Sequence, residues 1–303
     1  MYFALSGFLV MGSAERVRST STFLAFRVLR IIPALTTEVV LSAVVLGGVF
    51  TSLPLMRYYG SPGFVRYFGN IVGWVVFDLP GVFYRNPSGQ LVNLSLWTLP
   101  PELECYTITA VLMLTGLLFQ RRLLAAALLI ATIVFAGLNM VANVGVASTV
   151  FPAPTVAYYF FVGLVGFQWR AHIPHNWLLF CVSAVLGYLC LCVDHAVYIA
   201  PVFVTYCTVF IGLLKVPQLK LLGGDYSYGI YLYHFPITQA VIATFPDLRS
   251  HWATASLTAL VVTIVFAVFS WHIIEKPCLM LKSSLPDRLF PIARKALLHL
   301  REE

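Results

Sequence analysis

Apolar runs long enough to cross a membrane recur along almost the whole chain. A helix needs roughly 20 mainly apolar residues to span a bilayer, with about 17–25 observed. Reading the 303 residues in order gives eight such runs: 34–55, 102–119, 123–141, 154–169, 177–193, 197–214, 226–246 and 252–274. Residues 1–12 form a further apolar piece, too short to cross. The stretch 56–95 is mixed and interrupted by Gly60, Pro62, Pro80, Pro87 and Gly89, and its 64–83 part could form a helix that lies on or dips into the membrane. Composition agrees, because 60% of residues are hydrophobic and 10% charged, against about 45–50% and about 25% in soluble domains. The expected fold is all-α: a polytopic transmembrane helix bundle of about eight complete spans plus an N-terminal partial span.

The cations set the expected orientation. If 56–95 does not cross, one side receives Arg16, Arg18, Arg27, Arg30, Arg121, Arg122, Arg170, Lys215, Lys220 and the six Lys/Arg after Glu275. That is 15 of 19, leaving Arg57, Arg66, Arg85 and Arg249 opposite. A crossing at 64–83 would set Arg16 to Arg30 against the tail. The loop 13–33 and the tail 275–303 are therefore expected in the cytoplasm, the tail as a basic amphipathic segment on anionic lipid, and the membrane domain covers 1–274. The expected location is the cell's inner or plasma membrane. The net charge of +7 does not signal nucleic-acid binding, since the cations lie in short gaps between apolar runs. Five of the six cysteines fall in apolar runs with no CxxC pair or interleaved histidine, a pattern of buried free thiols and of no metal site. The start inside an apolar run leaves two readings, a preceding helix absent from this chain or a half-helix packed in the bundle.

Three segments could carry chemistry. In SYGIYLYHFPI (227–237), Ser227, Tyr231, His234 and Thr238 share one helical stripe. Pro236 removes a backbone donor and frees the carbonyl of Leu232, so a kink is expected beside the histidine. An intramembrane ionisable group is a functional candidate, against the alternative of a neutral histidine bonded to a neighbouring helix. In NLSLWTLPPELECY (93–106), Thr98 can cap a helix whose first turn holds Pro100 and Pro101. Glu102 then sits at the positive end of the helix dipole and shares a face with Tyr106. It could be a base, a partner for a catalytic histidine or an acceptor for a substrate hydroxyl, or equally an acid that stabilises a helix start. In FLAFRVLRIIP (23–33), Arg27 and Arg30 are i, i+3 on one face. Arginine forks suit the phosphates of an acyl-CoA, although cations on this side of a membrane need no ligand. Glu38, near Thr36 and Thr37, reads as a structural polar contact. Ser6 and Gly7 would permit close helix packing. Glu275 and Lys276 read as a solvated boundary.

Together these segments resemble the acyltransferase type 3 family of integral-membrane O-acyltransferases. Five motifs occur in the family's order: YFALSGFLV (2–10), FRVLRIIP (26–33), NLSLWTLPPELECY (93–106), SYGIYLYHFPI (227–237) and IIEKP (273–277). The resemblance implies ten spans with both ends cytoplasmic, hence one helix preceding this chain. In the family that first span carries an arginine and then a histidine regarded as catalytic. The resemblance further implies that Arg27 and Arg30 meet the acyl donor and that Glu102, Tyr231 and His234 belong to a conserved polar interior. The implied reaction moves an acyl group, most often acetyl, from acyl-CoA as co-substrate to a hydroxyl of a carbohydrate or lipid-linked glycan. No permanently bound cofactor is implied. The alternative is an N-terminally truncated, catalytically inactive homologue acting as a non-enzymatic membrane protein. The same reasoning expects little activity from these 303 residues without an upstream helix. Acceptor identity, acyl length and oligomeric state are not encoded in any motif here.

Overall fold

A computed structural model describes residues 1–142, 153–193, 198–214 and 223–281. Among these residues the fold is helical, without a β-sheet. We number the long helices α1 (Tyr2–Val17), α2 (Thr20–Phe50), α3 (Leu99–Leu114), α4 (Arg121–Ala142), α5 (Ala153–Gln168), α6 (Trp177–Cys192), α7 (Ala200–Gly212), α8 (Ser227–Thr244) and α9 (Trp252–Met280). Two of them contain a wide π turn, α2 at Leu41–Leu46 and α9 at Trp271–Glu275. The described residues divide into two compact units. The first lies within 1–24 and 101–218, the second within 25–100 and 219–286.

Every one of the eight expected runs contains a helix, although the boundaries differ. Residues 13–33 are not a loop. The apolar start continues as α1 to Val17, and α2 begins at Thr20 with Pro33 inside it. The break between them is Arg18, whose left-handed backbone (φ 54°) lets its amide bond back to Ala14. The 64–83 helix is also corrected. Helix covers only Pro62–Tyr67 and a tighter turn at Phe68–Val72. Gly73 then adopts φ 85°, and Asn70 ties off the turn by donating to the carbonyls of Tyr67 (2.8 Å) and Val76 (2.9 Å) while accepting from the Val76 amide (2.8 Å). From there the chain runs irregularly to Asn93, anchored by the buried Leu79, Val82 and Val92.

By length and composition, α2 and α9 can each cross a bilayer, while Thr155–Gln168, Trp177–Cys192 and Ala200–Gly212 are apolar but shorter. A 16-residue helix rises only about 24 Å against a hydrocarbon core of about 30 Å. Burial on α9 is inverted relative to a water-soluble helix. Its inward stripe is Ala255, Ala259, Thr263 and Ala267, whereas Leu257, Val261, Val265 and Phe269 are all more than half exposed. Small residues inside and large apolar residues outside suit a helix solvated by lipid, and the chain is membrane-associated.

In the first unit α1 crosses α5 almost backbone to backbone. A Cβ at Gly7 would lie 1.9 Å from the Phe160 carbonyl oxygen, and one at Gly163 would lie 2.2 Å from that of Ala4. Gly7 thus performs the close approach expected of the Ser6–Gly7 pair. At one end of this unit Glu15 pairs with Arg170 (3.3 Å), Arg18 lies over Phe119 and Arg121 over Trp169. In the second unit α8 packs on α9, with Gly229 against Ala267.

Two further expectations change. All six cysteines are free, but only Cys105 is buried, because the others lie on outward or half-covered helix faces. Glu275 is not solvated. The π turn carries α9 past it to Met280, leaving it 2% exposed beside Ser270. The tail beyond Leu281, together with Lys215, Lys220, His195 and His299, lies outside the described residues.

Candidate active site

The first unit contains one of the expected carboxylates. Glu102 sits in the first turn of α3, behind Pro100 and Pro101, and is 5% exposed. Tyr106, one turn on, donates its phenol to Glu102 Oε1 at 2.5 Å, as their i, i+4 spacing allows. Tyr2 of α1 donates to the same carboxylate, 3.1 Å from each oxygen. A buried carboxylate with two phenol donors is well satisfied and firmly held. A cavity of about 700 Å³ also opens in this unit, lined mainly by apolar and aromatic side chains such as Phe8, Val162, Phe203 and Phe210. Neither Glu102 nor Tyr106 lines it.

The second unit holds the histidine. Of the expected stripe on α8, Tyr231 and His234 meet. Ser227 is turned to Asp225 (2.6 Å), and Thr238 donates to the His234 carbonyl (2.6 Å). The His234 ring is exposed, and its Nδ1 lies 2.8 Å from the Tyr231 carbonyl oxygen. A carbonyl oxygen can only accept, so Nδ1 carries the proton. In the neutral tautomer Nε2 is then the basic nitrogen, and it lies 3.5 Å from Ser95 Oγ.

Ser95 is fixed from three directions. Its amide donates to Asn93 Oδ1 (3.0 Å), and its carbonyl accepts from Tyr231 (2.5 Å) and from Thr98 (3.3 Å). The Thr98 hydroxyl also meets the Tyr231 phenol. Thr98 therefore does not spend its hydroxyl on capping. The capping side chain is Asn93, which starts the short turn Leu94–Thr98 that leads into α3. The Tyr231 phenol spends its proton on holding backbone.

The carbonyl freed by Pro236 is where the sequence placed it. Leu232 O accepts from Asn93 Nδ2 at 3.0 Å, and α8 continues unbroken to Thr244. The same amide nitrogen donates to Glu38 Oε1 (2.9 Å), which also accepts from Ser42 (2.7 Å). Sequence reasoning missed Asn93 and Ser95 and read Glu38 as a structural contact. One signal was present: a carbonyl released by proline inside a bundle needs a donor, and Asn93 heads the motif that supplies it.

The two arginines lie one turn apart on α2, both partly buried. Arg30 Nη2 pairs with Asp225 at 2.6 Å, and its guanidinium lies over the Tyr228 ring. Burial acts to raise the Asp225 carboxyl, but hydrogen bonds from Ser227 and the charge of Arg30 outweigh it and hold the group below its ordinary value of 3.8.

Residues 1–272 match the profile of the acyltransferase domain family. An O-acetyl transferase of Shigella phage Sf6 is 26% identical over 286 residues, covering 91% of this chain and 82% of that protein. Nodulation protein 10 of Rhizobium leguminosarum bv. viciae is 28% identical over 331 residues, covering 97% of this chain and 84% of its own length. No solved structure gives a significant match. With nine-tenths of its length inside the matched region, the chain belongs to the acyltransferase domain family and is an enzyme that transfers acyl groups to oxygen.

Proposed function

We propose that the protein transfers an acetyl group from cytoplasmic acyl-CoA to a carbohydrate hydroxyl, with His234 as general base. The observation that supports this reading best is the Nδ1–H···O=C bond from His234 to Tyr231, which leaves Nε2 with its lone pair on an exposed ring. Nε2 takes the proton of the acceptor hydroxyl as that oxygen attacks the thioester carbonyl, and returns it to the departing thiolate. Tyr231 holds the Ser95 backbone against the imidazole. Within the first unit, Glu102 is held by Tyr2 and Tyr106 and keeps the role of hydroxyl acceptor that its motif suggests. Arg27 and Arg30 receive the donor's phosphates. The contact with Asp225 uses one of five guanidinium N–H donors, so Arg30 keeps capacity for an anion. The name of the phage relative supports acetyl as the group moved. The carbohydrate or lipid-linked glycan acceptor rests on the motif resemblance.

The eight-span topology in an inner or plasma membrane, with a cytoplasmic C-terminus, belongs to the same proposal. It is supported by the clustering of Glu15, Arg18, Arg121 and Arg170 at one end of the first unit, as the charge split requires. Reporter fusions at residues 20, 172, 218 and 290 should read cytoplasmic and one at 148 external. A cytoplasmic signal at 148 breaks the topology.

The function is tested by acetyl transfer from labelled acetyl-CoA to a carbohydrate acceptor in the purified full-length gene product. His234→Ala should lower the rate about 10²–10⁴-fold, the usual contribution of a positioned base, without loss of protein from the membrane. Full activity in that variant makes His234 a hydrogen-bonding residue only. Arg27→Lys and Arg30→Lys should raise KM for acyl-CoA because the bidentate fork is lost. Wild-type behaviour of both leaves the pair as topogenic charge.

A further inference from the structure

Glu38 is a fully buried carboxyl in the middle of α2 and takes no part in the chemistry above. Burying such a group is costly unless its oxygens are paired. Here only one is. Oε1 accepts from Ser42 and Asn93, while Oε2 is buried with no hydrogen-bond partner among the described residues. Departures from full polar satisfaction concentrate at functional or strained sites.

The Glu38 contacts lead to the histidine. Asn93 is itself 0% exposed and makes three bonds at once. Its Nδ2 donates to Glu38 Oε1 and to the Leu232 carbonyl, and its Oδ1 accepts from the Ser95 amide. The amide orientation follows from its partners, since a carbonyl oxygen cannot donate and a backbone N–H cannot accept. One side chain therefore fixes both halves of the histidine's setting, Ser95 in front of Nε2 and the α8 backbone two residues before the ring. We propose that Glu38 is a positioning residue for acyl transfer, acting through Asn93 to hold Ser95 and α8 in the register that keeps Nε2 of His234 beside the Ser95 hydroxyl. This inference rests on His234 being the base.

The test measures kcat, KM for donor and acceptor, and melting temperature on purified protein. Glu38→Gln keeps an oxygen that can accept from Ser42 and Asn93, and should retain at least about a third of kcat. Glu38→Leu removes that acceptor, and kcat should fall about 10–100-fold with both KM values nearly constant, as when a group supporting a reactive residue is lost. Asn93→Asp covers the case in which Glu38→Leu does not fold. It preserves shape and the acceptor for Ser95 while removing the donors to Glu38 and Leu232, and its kcat should fall by a similar factor. The exchange Glu38→Gln with Asn93→Asp restores a donor–acceptor pair and should recover at least about threefold over Asn93→Asp alone. Wild-type kcat per folded molecule in Asn93→Asp overturns the inference, as does a folded Glu38→Leu with wild-type kcat. His234→Ala is the control. If it is inactive while the Glu38 and Asn93 variants are normal, only the positioning role fails; if it is fully active, the base reading fails and takes this inference with it.

Discussion

In the first unit helices approach through missing side chains, whereas in the second the backbone is held by polar ones. At Gly7 and Gly163 the α1–α5 crossing has no room for a Cβ. Between Gly73 and Asn93 no regular helix pairs the backbone groups. Asn70, Asn93, Asn86 and Gln239 do so instead, Asn86 donating to the Gln239 carbonyl (2.8 Å) and Gln239 to that of Leu91 (2.6 Å). The first mode is rigid and tolerates no added volume. The second tolerates volume better but loses whenever a buried carbonyl or amide is left unpaired. It also brings an irregular segment to a chosen helix face, and Ser95 reaches His234 in this way.

Substitutions at five positions break or sharpen this contrast. The largest effect should come from Gly7→Ala or Gly163→Ala, where a single methyl forces two backbones apart. Each should cost about 1–3 kcal/mol or more, read as a lower melting temperature and poorer recovery from the membrane. An unchanged melting temperature would mean that the crossing is looser than 1.9 Å implies. Next is Asn70→Ala in the second unit, which orphans the Val76 amide and two carbonyls and should cost about 1–3 kcal/mol. Asn70→Asp should recover only the bond from the Val76 amide. Tyr106→Phe removes one of the two phenol donors to Glu102. It should cost about 1–2 kcal/mol as a buried carboxyl loses one hydrogen bond, read as a lower melting temperature.

The smallest effect belongs to the Arg30–Asp225 pair, whose members are 27% and 53% exposed. Solvent and salt limit it to about 0–1 kcal/mol. Since the folded state depresses the Asp225 carboxyl below 3.8, the stabilisation is present above that value and fades as pH falls through the lower folded one. Asp225→Asn should remove this acid-side loss and little else.

Much of the helical framework was legible in the sequence, because apolar length and periodicity are local signals. The Pro236–Leu232 carbonyl and the Tyr106–Glu102 pair were legible for the same reason, each following from a spacing of four along one helix. Glu38 with Asn93, and Ser95 with His234, were not. They join positions 55 and 139 residues apart, and no periodicity reports such a contact. Glu275 was misread because a charged pair beside Pro277 looks like a helix end, whereas the π turn absorbs an extra residue and α9 continues. The 64–83 segment was misread because its apolar content favours helix, while Gly73 and the Asn70 turn stop it after Val72.

The central claim is the state of one imidazole, and ¹⁵N NMR of histidine-labelled protein reads it directly, with His234→Gln to assign the signal. The account predicts that the neutral ring carries its proton on Nδ1, bonded to the Tyr231 carbonyl, and not on Nε2. A neutral ring protonated at Nε2 instead would contradict it, since a bare Nδ1 cannot bond to a carbonyl oxygen and the nitrogen beside Ser95 would no longer be the base.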